Sequence, residues 1–218
     1  MISACMIVQD EEACISRSIE NIMGSVDEVV VLDGGSTDRT PQIAESYPKV
    51  RLFQHHFDPI GGDSFADQRN RCRDYAGGGW VVFIDADEVY PQYVLQCFPR
   101  LVADEQHDAY AFIRKTFIDG YLANIYNLDY QIRFFKRYCK YEGRIHEGVT
   151  GHSNLRFCNL EIMHYKTTAW QQKDNERCWD MGQTPAEGWI KLDGVWVYKP
   201  ELAAQEGGGS GESRSDEQ

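Results

Sequence analysis

The sequence lacks the paired cysteines that mark a redox motif or a zinc site. Its seven cysteines are scattered singly, with no Cys-x-x-Cys pair and no zinc-binding spacing, at Cys5, Cys14, Cys72, Cys97, Cys139, Cys158 and Cys178. An odd and dispersed set of this kind favours reduced thiols. The cysteine pattern therefore predicts a cytoplasmic protein.

The chain also has no excess of positive charge and no long apolar segment. Its 218 residues carry 34 acidic and 22 basic side chains, which gives a formal net charge of −12. Proteins that bind nucleic acid non-specifically show a basic face, so we expect no nucleic-acid partner. The first residues lack the basic region of a signal peptide, and no apolar run reaches the length of a membrane helix. Any membrane contact is therefore expected to be peripheral, at the inner face.

Apolar runs alternate with helical patterns in the first part of the chain, and this rhythm later changes. Strands are predicted at 2–8, 26–32, 50–53 and 80–84, and helices at 15–23, 64–75 and 92–103. Such alternation predicts an α/β fold with a mostly parallel sheet. Aromatic and polar residues then alternate at 109–117 and 131–137, which predicts strands of a smaller mixed region. We expect one domain over residues 1–200 and a disordered, acidic, Gly/Ser-rich tail over 201–218.

The predicted fourth strand ends abruptly in Asp85-Ala86-Asp87-Glu88. The carboxyl ends of such strands open into the crevice where α/β sheets bind ligands. In extended geometry Asp85 and Asp87 share a face, where they repel each other unless a cation lies between them. Carboxylate oxygens suit Mg²⁺ or Mn²⁺, which commonly take phosphates as further ligands. A capped turn before a helix that starts near Pro91 is the alternative interpretation.

Two other polar sets are predicted at the same edge of the sheet. Asp33 follows the second strand in a Gly-rich turn, and Arg69 lies on a polar helix before the fourth strand. Because the ends of parallel strands open on one edge, these residues are expected close to the acidic cluster. Asp33 also fits a simple turn acid, and Arg69 fits a solvated helix face shared with Arg71 and Arg73.

Taken in order, these motifs resemble family 2 glycosyltransferases of the GT-A fold. The resemblance is carried by four segments and covers roughly the first 90 residues: ISACMIVQDEE at 2–12, VDEVVVLDGGSTDRT at 26–40, DQRN at 67–70 and WVVFIDADE at 80–88. It continues more weakly at 145–147 and 164–165. The resemblance implies a Rossmann-like sheet flanked by helices, with a nucleotide-sugar-binding half at 1–104 and an acceptor-side half at 105–200.

The resemblance also implies roles for residues on the donor side. Asp33 would accept a hydrogen bond from the base, typically uracil, and Glu11 or Glu12 would lie near the base or the ribose. Arg69 would face the base or the diphosphate.

The metal roles are likewise implied by the resemblance. Asp87 would ligate a Mn²⁺ or Mg²⁺ ion that bridges both phosphates, and Asp85 would contact the ribose, the metal or a metal-bound water. Glu88 would support them from behind. His164 would contact the diphosphate or the metal, with a buried structural histidine as the alternative.

An inverting transferase also needs a base that removes the proton of the acceptor hydroxyl. Glu147 is the candidate for this base and His146 is its competitor, because the unperturbed pKa of histidine suits proton transfer near neutral pH. The aromatic residues in the second half are candidates for stacking on a sugar acceptor, with core packing as the alternative: Tyr121, Tyr126, Tyr130 and Trp170.

The expected function is metal-dependent transfer of a sugar from a UDP-linked donor. We expect inversion at the sugar carbon, which is the usual outcome in such enzymes. The acceptor would be a saccharide, a lipid-linked saccharide or a peptide, in cell-envelope polysaccharide synthesis. Three alternatives stay open: a haloacid-dehalogenase-like phosphatase with Asp85 as nucleophile, a metal-dependent nucleotidyltransferase, and a catalytically inactive nucleotide-sugar-binding domain. The phosphatase would need a later strand with paired acids, and the nucleotidyltransferase a basic loop where Gln9–Glu12 is acidic.

Overall fold

The computed structural model describes residues 1–123, 128–144, 146–183, 189–192 and 195–198. It divides into two compact units, residues 1–171 and residues 172–218. The predicted tail at 201–218 and Tyr126 lie outside the described residues. The expected division into donor-side and acceptor-side halves stays a prediction.

Strands and helices alternate in the first part of the chain, and strands dominate the second. The strands are β1 Ile2–Val8, β2 Glu28–Asp33, β3 Val50–Gln54, β4 Trp80–Phe83, β5 Glu88–Val89, β6 Ala109–Ile118, β7 Tyr121–Leu122, β8 Asp129–Lys136, β9 Lys140–Glu142, β10 Gly148–Thr150, β11 Leu155–Lys166, β12 Trp189–Leu192 and β13 Val195–Tyr198. The helices are α1 Ile15–Ile22, α2 Thr40–Glu45, α3 Phe65–Tyr75, α4 Gln92–Leu95, α5 Phe98–Ala103 and α6 Thr168–Asp180.

The main sheet of the first unit has the strand order β3-β2-β1-β4-β8-β6-β11-β5, with β7 paired to β6. Strands β3, β2, β1 and β4 are mutually parallel. Strand β8 is antiparallel to both β4 and β6, whereas β6 and β11 are parallel. The predicted α/β fold is therefore confirmed, with a parallel first half and a mixed second half. Two further antiparallel pairs, β9–β10 and β12–β13, lie outside this sheet.

The sheet is covered on both faces, which explains why its central strands are continuous apolar runs. Alternate residues of β4, and Ile84 directly after it, enter two separate buried clusters. Val82 and Ile84 pack in one cluster with α1, α2, α4 and α5, and Val81 and Phe83 pack in the other with α3. All four side chains are fully buried.

The helix predicted at 92–103 is two short helices, α4 and α5. Pro99 explains the interruption, because it has no N–H to bond the carbonyl of Leu95 and its ring crowds the preceding turn. Among the described residues, no helix combines the length and the apolar character needed to span a bilayer.

Strand β8 contains a β-bulge at Arg133. Its ladder with β6 steps from the pair Tyr110–Phe134 to the pair Ala111–Ile132, so Arg133 is the extra residue. Consequently Phe134 and Ile132 pack in different clusters on opposite faces of the sheet. Bulges re-aim side chains and are common beside functional sites.

Helix α3 begins with a side-chain cap, which offers a simple test of the local structure. The Ser64 hydroxyl accepts a hydrogen bond from the N–H of Asp67 at 3.0 Å. We expect Ser64→Ala to lower the free energy of unfolding by about 1 kcal/mol, as measured by urea denaturation. Ser64→Thr keeps the hydroxyl and should lie closer to the wild type; equal losses in both variants would contradict the capping role.

Candidate active site

The site lies where the parallel strands end. Val8 at the end of β1 pairs with Asp33 at the end of β2, and β4 runs parallel to β1 on its other side. The turns that follow these three strands therefore meet at one edge of the sheet, as the sequence predicted.

Asp33 is buried, with 1% of its surface exposed, and its carboxylate closes the turn that follows β2. One oxygen accepts hydrogen bonds from the N–H and the hydroxyl of Ser36, and the other accepts from the N–H of Gly35. Gly35 has a φ of 102°, a left-handed conformation that favours glycine. Asp33 thus shapes the loop, and its contact with a nucleotide base stays a prediction.

Glu11 and Glu12 join the turn after β1 to the turn after β2. The N–H of Glu11 donates to the Thr40 hydroxyl at 2.7 Å, and the Glu11 carboxylate accepts from the Cys14 thiol at 3.1 Å. The Glu12 carboxylate pairs with Arg39 at 3.2 Å. These acids lie at the predicted edge, and their contact with the base or ribose stays a prediction.

The acidic turn, residues 85–88, follows β4 and is held by two arginines. Asp85 lies with one oxygen 2.9 Å from Arg69 Nη1 and the other 2.7 Å from Arg133 Nη2. Burial by itself raises the pKa of Asp85, but the charges of Arg133 and Arg69 outweigh it and hold this pKa well below its usual range. Both oxygens of Asp85 therefore face guanidinium groups, and its predicted role as a metal ligand stays a prediction.

Glu88 is fully buried behind Asp85. One of its oxygens lies 2.7 Å from Arg133 Nη2, and the other accepts a hydrogen bond from the N–H of Asp85 at 3.0 Å. Burial raises the pKa of Glu88 against the opposing charge of Arg133, and the nearby Asp85 raises it further. Arg133 is itself only 3% exposed, so one buried cation contacts two carboxylates.

Asp87 points away from this network and towards His164 on β11. Asp87 Oδ2 lies 3.0 Å from His164 Nε2, and His164 Nδ1 lies 3.1 Å from the Thr116 hydroxyl. Backbone pairing fixes this meeting, because His164 is opposite Glu88 in the β5–β11 ladder and the N–H of Tyr165 donates to the carbonyl of Asp87. The structure thus brings together two of the predicted metal ligands, which are 77 residues apart in the sequence.

The donor set suits a divalent cation that is completed by its substrate. Within the ranges that the structure describes, no group of three or more His, Cys, Asp or Glu side chains is arranged to hold a metal. Mg²⁺ commonly binds through one or two carboxylates together with substrate phosphates. Asp87 supplies one such carboxylate, and His164 adds an imidazole donor whose other nitrogen lies near the Thr116 hydroxyl, as a metal-binding histidine is usually fixed through its other nitrogen.

Helix α1 supports the acidic turn from its other side. The Ser18 hydroxyl lies 2.5 Å from the carbonyl oxygen of Ala86 and 2.7 Å from that of Glu88. The Asn21 side chain bonds both the N–H and the carbonyl of Tyr90. The backbone around Asp87 is therefore fixed by contacts with α1 as well as with β11.

Arg69 connects the acidic turn to the segment that contains the candidate base. Its Nε donates to Glu147 Oε1 at 2.6 Å, and burial, which would lower its pKa, is outweighed by Asp85 and Glu147, which raise it. Arg69 is 7% exposed, which excludes the solvated helix face, whereas Arg71 is exposed. Glu147 thus lies beside the donor edge. His146 is exposed, with a φ of 56°, and the catalytic roles of both residues stay predictions.

The aromatic candidates have different surroundings. Tyr121 is 81% exposed, Tyr130 makes an edge contact with Phe157, and Trp170 packs against the first buried cluster. Their contact with an acceptor stays a prediction.

Sequence reasoning missed Arg133 and Thr116. A charge between Ile132 and Phe134 in a predicted strand was the available signal for Arg133. Thr116 carries no comparable signal.

These features place several carboxylates and a carboxylate–histidine pair at the carboxyl edge of an α/β sheet, which is where such sheets bind ligands. Residues 3–160 match the family described as glycosyl transferase family 2. This match spans more than half of the chain, and the chain therefore belongs to that family. Its fold is the GT-A fold, and the family match disfavours the phosphatase and nucleotidyltransferase alternatives.

Individual proteins are also similar to this chain. A TPR repeat-containing protein of Synechococcus elongatus is 38% identical over 112 residues, which cover 51% of this chain and 26% of that protein. The lipopolysaccharide core biosynthesis glycosyltransferase LpsC of Rhizobium meliloti is 26% identical over 173 residues, which cover 76% of this chain and 63% of LpsC. The chain thus spans less than two thirds of these relatives.

Among solved structures, TarS of S. aureus (residues 1–349, in complex with UDP-GlcNAc) superimposes with a TM-score of 0.57. The sequences are 15% identical, and the match covers 76% of this chain and 58% of the TarS chain. At this identity the likeness shows the fold alone.

The lowered pKa of Asp85 predicts a pH-dependent contribution to stability. This contribution is present above the unfolded-state pKa of about 3.9 and is lost as the pH falls towards the lower folded-state pKa. As the pH is lowered, the free energy of unfolding should therefore fall less steeply in Asp85→Asn than in the wild type. The two slopes should differ by up to about 1.4 kcal/mol per pH unit for one proton. Urea denaturation between about pH 2 and 4 measures this slope. Glu45→Gln on α2 is the exposed control, and equal slopes in the wild type and Asp85→Asn would contradict the ion pairing.

Proposed function

We propose that this protein transfers a sugar from a nucleoside diphosphate sugar, with UDP as the nucleotide, to an acceptor hydroxyl. The observation that carries this proposal is the Asp87–His164 pair, 3.0 Å apart at the edge of the sheet where the parallel strands end. Membership of glycosyl transferase family 2 supports the reaction class, and the UDP-GlcNAc complex of TarS supports the donor class.

Asp87 and His164 would hold a Mn²⁺ or Mg²⁺ ion, with the donor diphosphate supplying further oxygen ligands. When bound, such an ion acts as a Lewis acid that stabilises the negative charge of a departing diphosphate. Thr116 orients the imidazole of His164, and the arginine contacts of Asp85 hold that carboxylate in the ion network next to Asp87. The turn that follows β2 forms the other part of the donor crevice through the Asp33 carboxylate.

Glu147 is the proposed base for the acceptor hydroxyl, with inversion at the sugar carbon. Its carboxylate is oriented by Arg69 at 2.6 Å, and the same arginine contacts Asp85 of the acidic turn. Because it is paired with Arg69, Glu147 lies beside the donor crevice, where an acceptor hydroxyl would have to approach the sugar. The exposed His146 is the alternative base.

The proposed acceptor is a saccharide or a lipid-linked saccharide of the cell envelope, with a peptide as the minority option. The role of LpsC in lipopolysaccharide core biosynthesis supports the first class. The proposed location is the cytoplasm, with peripheral contact at the inner face of the membrane.

Nucleotide and metal binding tests the proposed site directly. We expect UDP with Mn²⁺ to raise the melting temperature of the wild type, because a ligand that binds the folded state stabilises it. The rise should be lost in Asp87→Asn and reduced in His164→Ala, while Glu45→Gln on α2 keeps it. A wild-type melting temperature that is indifferent to UDP and Mn²⁺ would sink the proposal.

The base is tested by comparing transfer with binding. Glu147→Gln keeps the size of the side chain but cannot take up the proton, so it should reduce UDP release from a sugar nucleotide at least about 100-fold. Calorimetry should still show binding of UDP and Mn²⁺. His146→Ala is the matched comparison, and retained turnover in Glu147→Gln would move the role to His146.

A further inference from the structure

Arg133 is a buried cation that the proposed reaction does not use directly. Its guanidinium is 2.7 Å from Asp85 and 2.7 Å from Glu88, and the residue is 3% exposed. It lies on β8, 45 residues after Glu88 in the sequence. A charge buried to this extent is expensive unless it is paired, so its position requires an explanation.

We propose that Arg133 is a positioning residue, whose guanidinium holds the acidic turn in the shape that presents Asp87 to His164 and to the donor diphosphate. Asp85 and Glu88 then serve as the counter-ions of Arg133. This inference rests on the proposed function, since it assigns Arg133 a part in forming the same donor site.

The backbone of β8 is built to place this side chain. The bulge makes Arg133 the extra residue between the Phe134 and Ile132 pairings with β6. The ladder between β8 and β4 extends as far as Phe134 and Val82, so the bulge comes where β4 approaches its end. The bulge therefore aims Arg133 at the residues that follow β4, and a regular strand would place this position differently.

The charges of the acidic turn explain why a cation is needed there. One oxygen of Asp85 and one oxygen of Glu88 lie 2.7 Å from the same nitrogen, Arg133 Nη2, so the two carboxylates are close together. Because Glu88 is fully buried, the repulsion between these carboxylates is only weakly screened by solvent. Arg133 contacts both carboxylates, and the other oxygen of Asp85 lies 2.9 Å from Arg69 Nη1. Without Arg133, the acidic turn would have to move to relieve the repulsion between the two carboxylates.

Movement of the turn would act directly on Asp87, which lies between the two counter-ions. Its carbonyl is bound by the N–H of Tyr165, and Glu88 pairs with His164 in the β5–β11 ladder. A shift of Glu88 therefore changes the separation between the Asp87 carboxylate and the imidazole. Mutation of a residue that orients a metal ligand typically lowers the metal affinity 10- to 100-fold.

The experiment separates positioning from a purely structural role. Arg133→Met leaves the buried carboxylate of Glu88 without its cation and the carboxylate of Asp85 with Arg69 alone, so it should lower stability as well as binding. The double variant Arg133→Met with Glu88→Gln removes one of these carboxylates and should regain much of the melting temperature. Arg51→Met, which breaks the surface pair of Arg51 and Glu28 on β3 and β2, is the matched control.

Calorimetry with UDP and Mn²⁺ on each folded variant gives the decisive result. We expect the double variant to bind UDP with Mn²⁺ at least about tenfold more weakly than the wild type, whereas Arg51→Met binds normally. Arg133→Lys retains the charge without the planar fork and should fall between the wild type and the double variant. Wild-type affinity in the double variant would overturn the inference while leaving the proposed function intact, and a wild type that binds no UDP with Mn²⁺ would instead overturn the proposed function.

Discussion

The site depends on a buried ion network in which Arg69 and Arg133 share the carboxylate of Asp85. Arg133 extends the network to Glu88, and Arg69 extends it to Glu147. Buried ion pairs contribute little net stability, because desolvation offsets much of their attraction. Their value here is geometric: each partner has a fixed place, and the loss of one leaves the others uncompensated. The network therefore joins α3, the acidic turn, β8 and the Glu147 segment at one point.

This arrangement divides the acids of the site by environment. Asp85 and Glu88 face arginines, whereas Asp87 faces His164, whose other nitrogen lies near Thr116. The division leaves the carboxylates of Asp85 and Glu88 in contact with arginines and the carboxylate of Asp87 in contact with an imidazole. In the proposed reaction, preorganisation of this kind reduces the rearrangement needed when charge develops on the diphosphate.

Much of the candidate site at the ends of the parallel strands could be predicted from the sequence, because its signals are local. The apolar run before Asp85 indicates a buried strand, and parallel strands bring the turns at Asp33 and Asp85 to one edge. The interior arrangement was less predictable. The sequence suggested a solvated helix face as an alternative for Arg69, yet this side chain is 7% exposed because two distant carboxylates surround it.

The α/β class, the edge of the sheet and the acidic turn follow from the order of the amino acids alone, since periodicity and strand ends depend on neighbouring residues. How the acids of that turn are shared between partners depends instead on the tertiary structure. Arg133 reaches Asp85 through a bulge in β8, and His164 reaches Asp87 through the pairing of β11 with β5. Those contacts depend on strand register across 48 and 77 residues of chain, and register is set by the packing of the whole sheet.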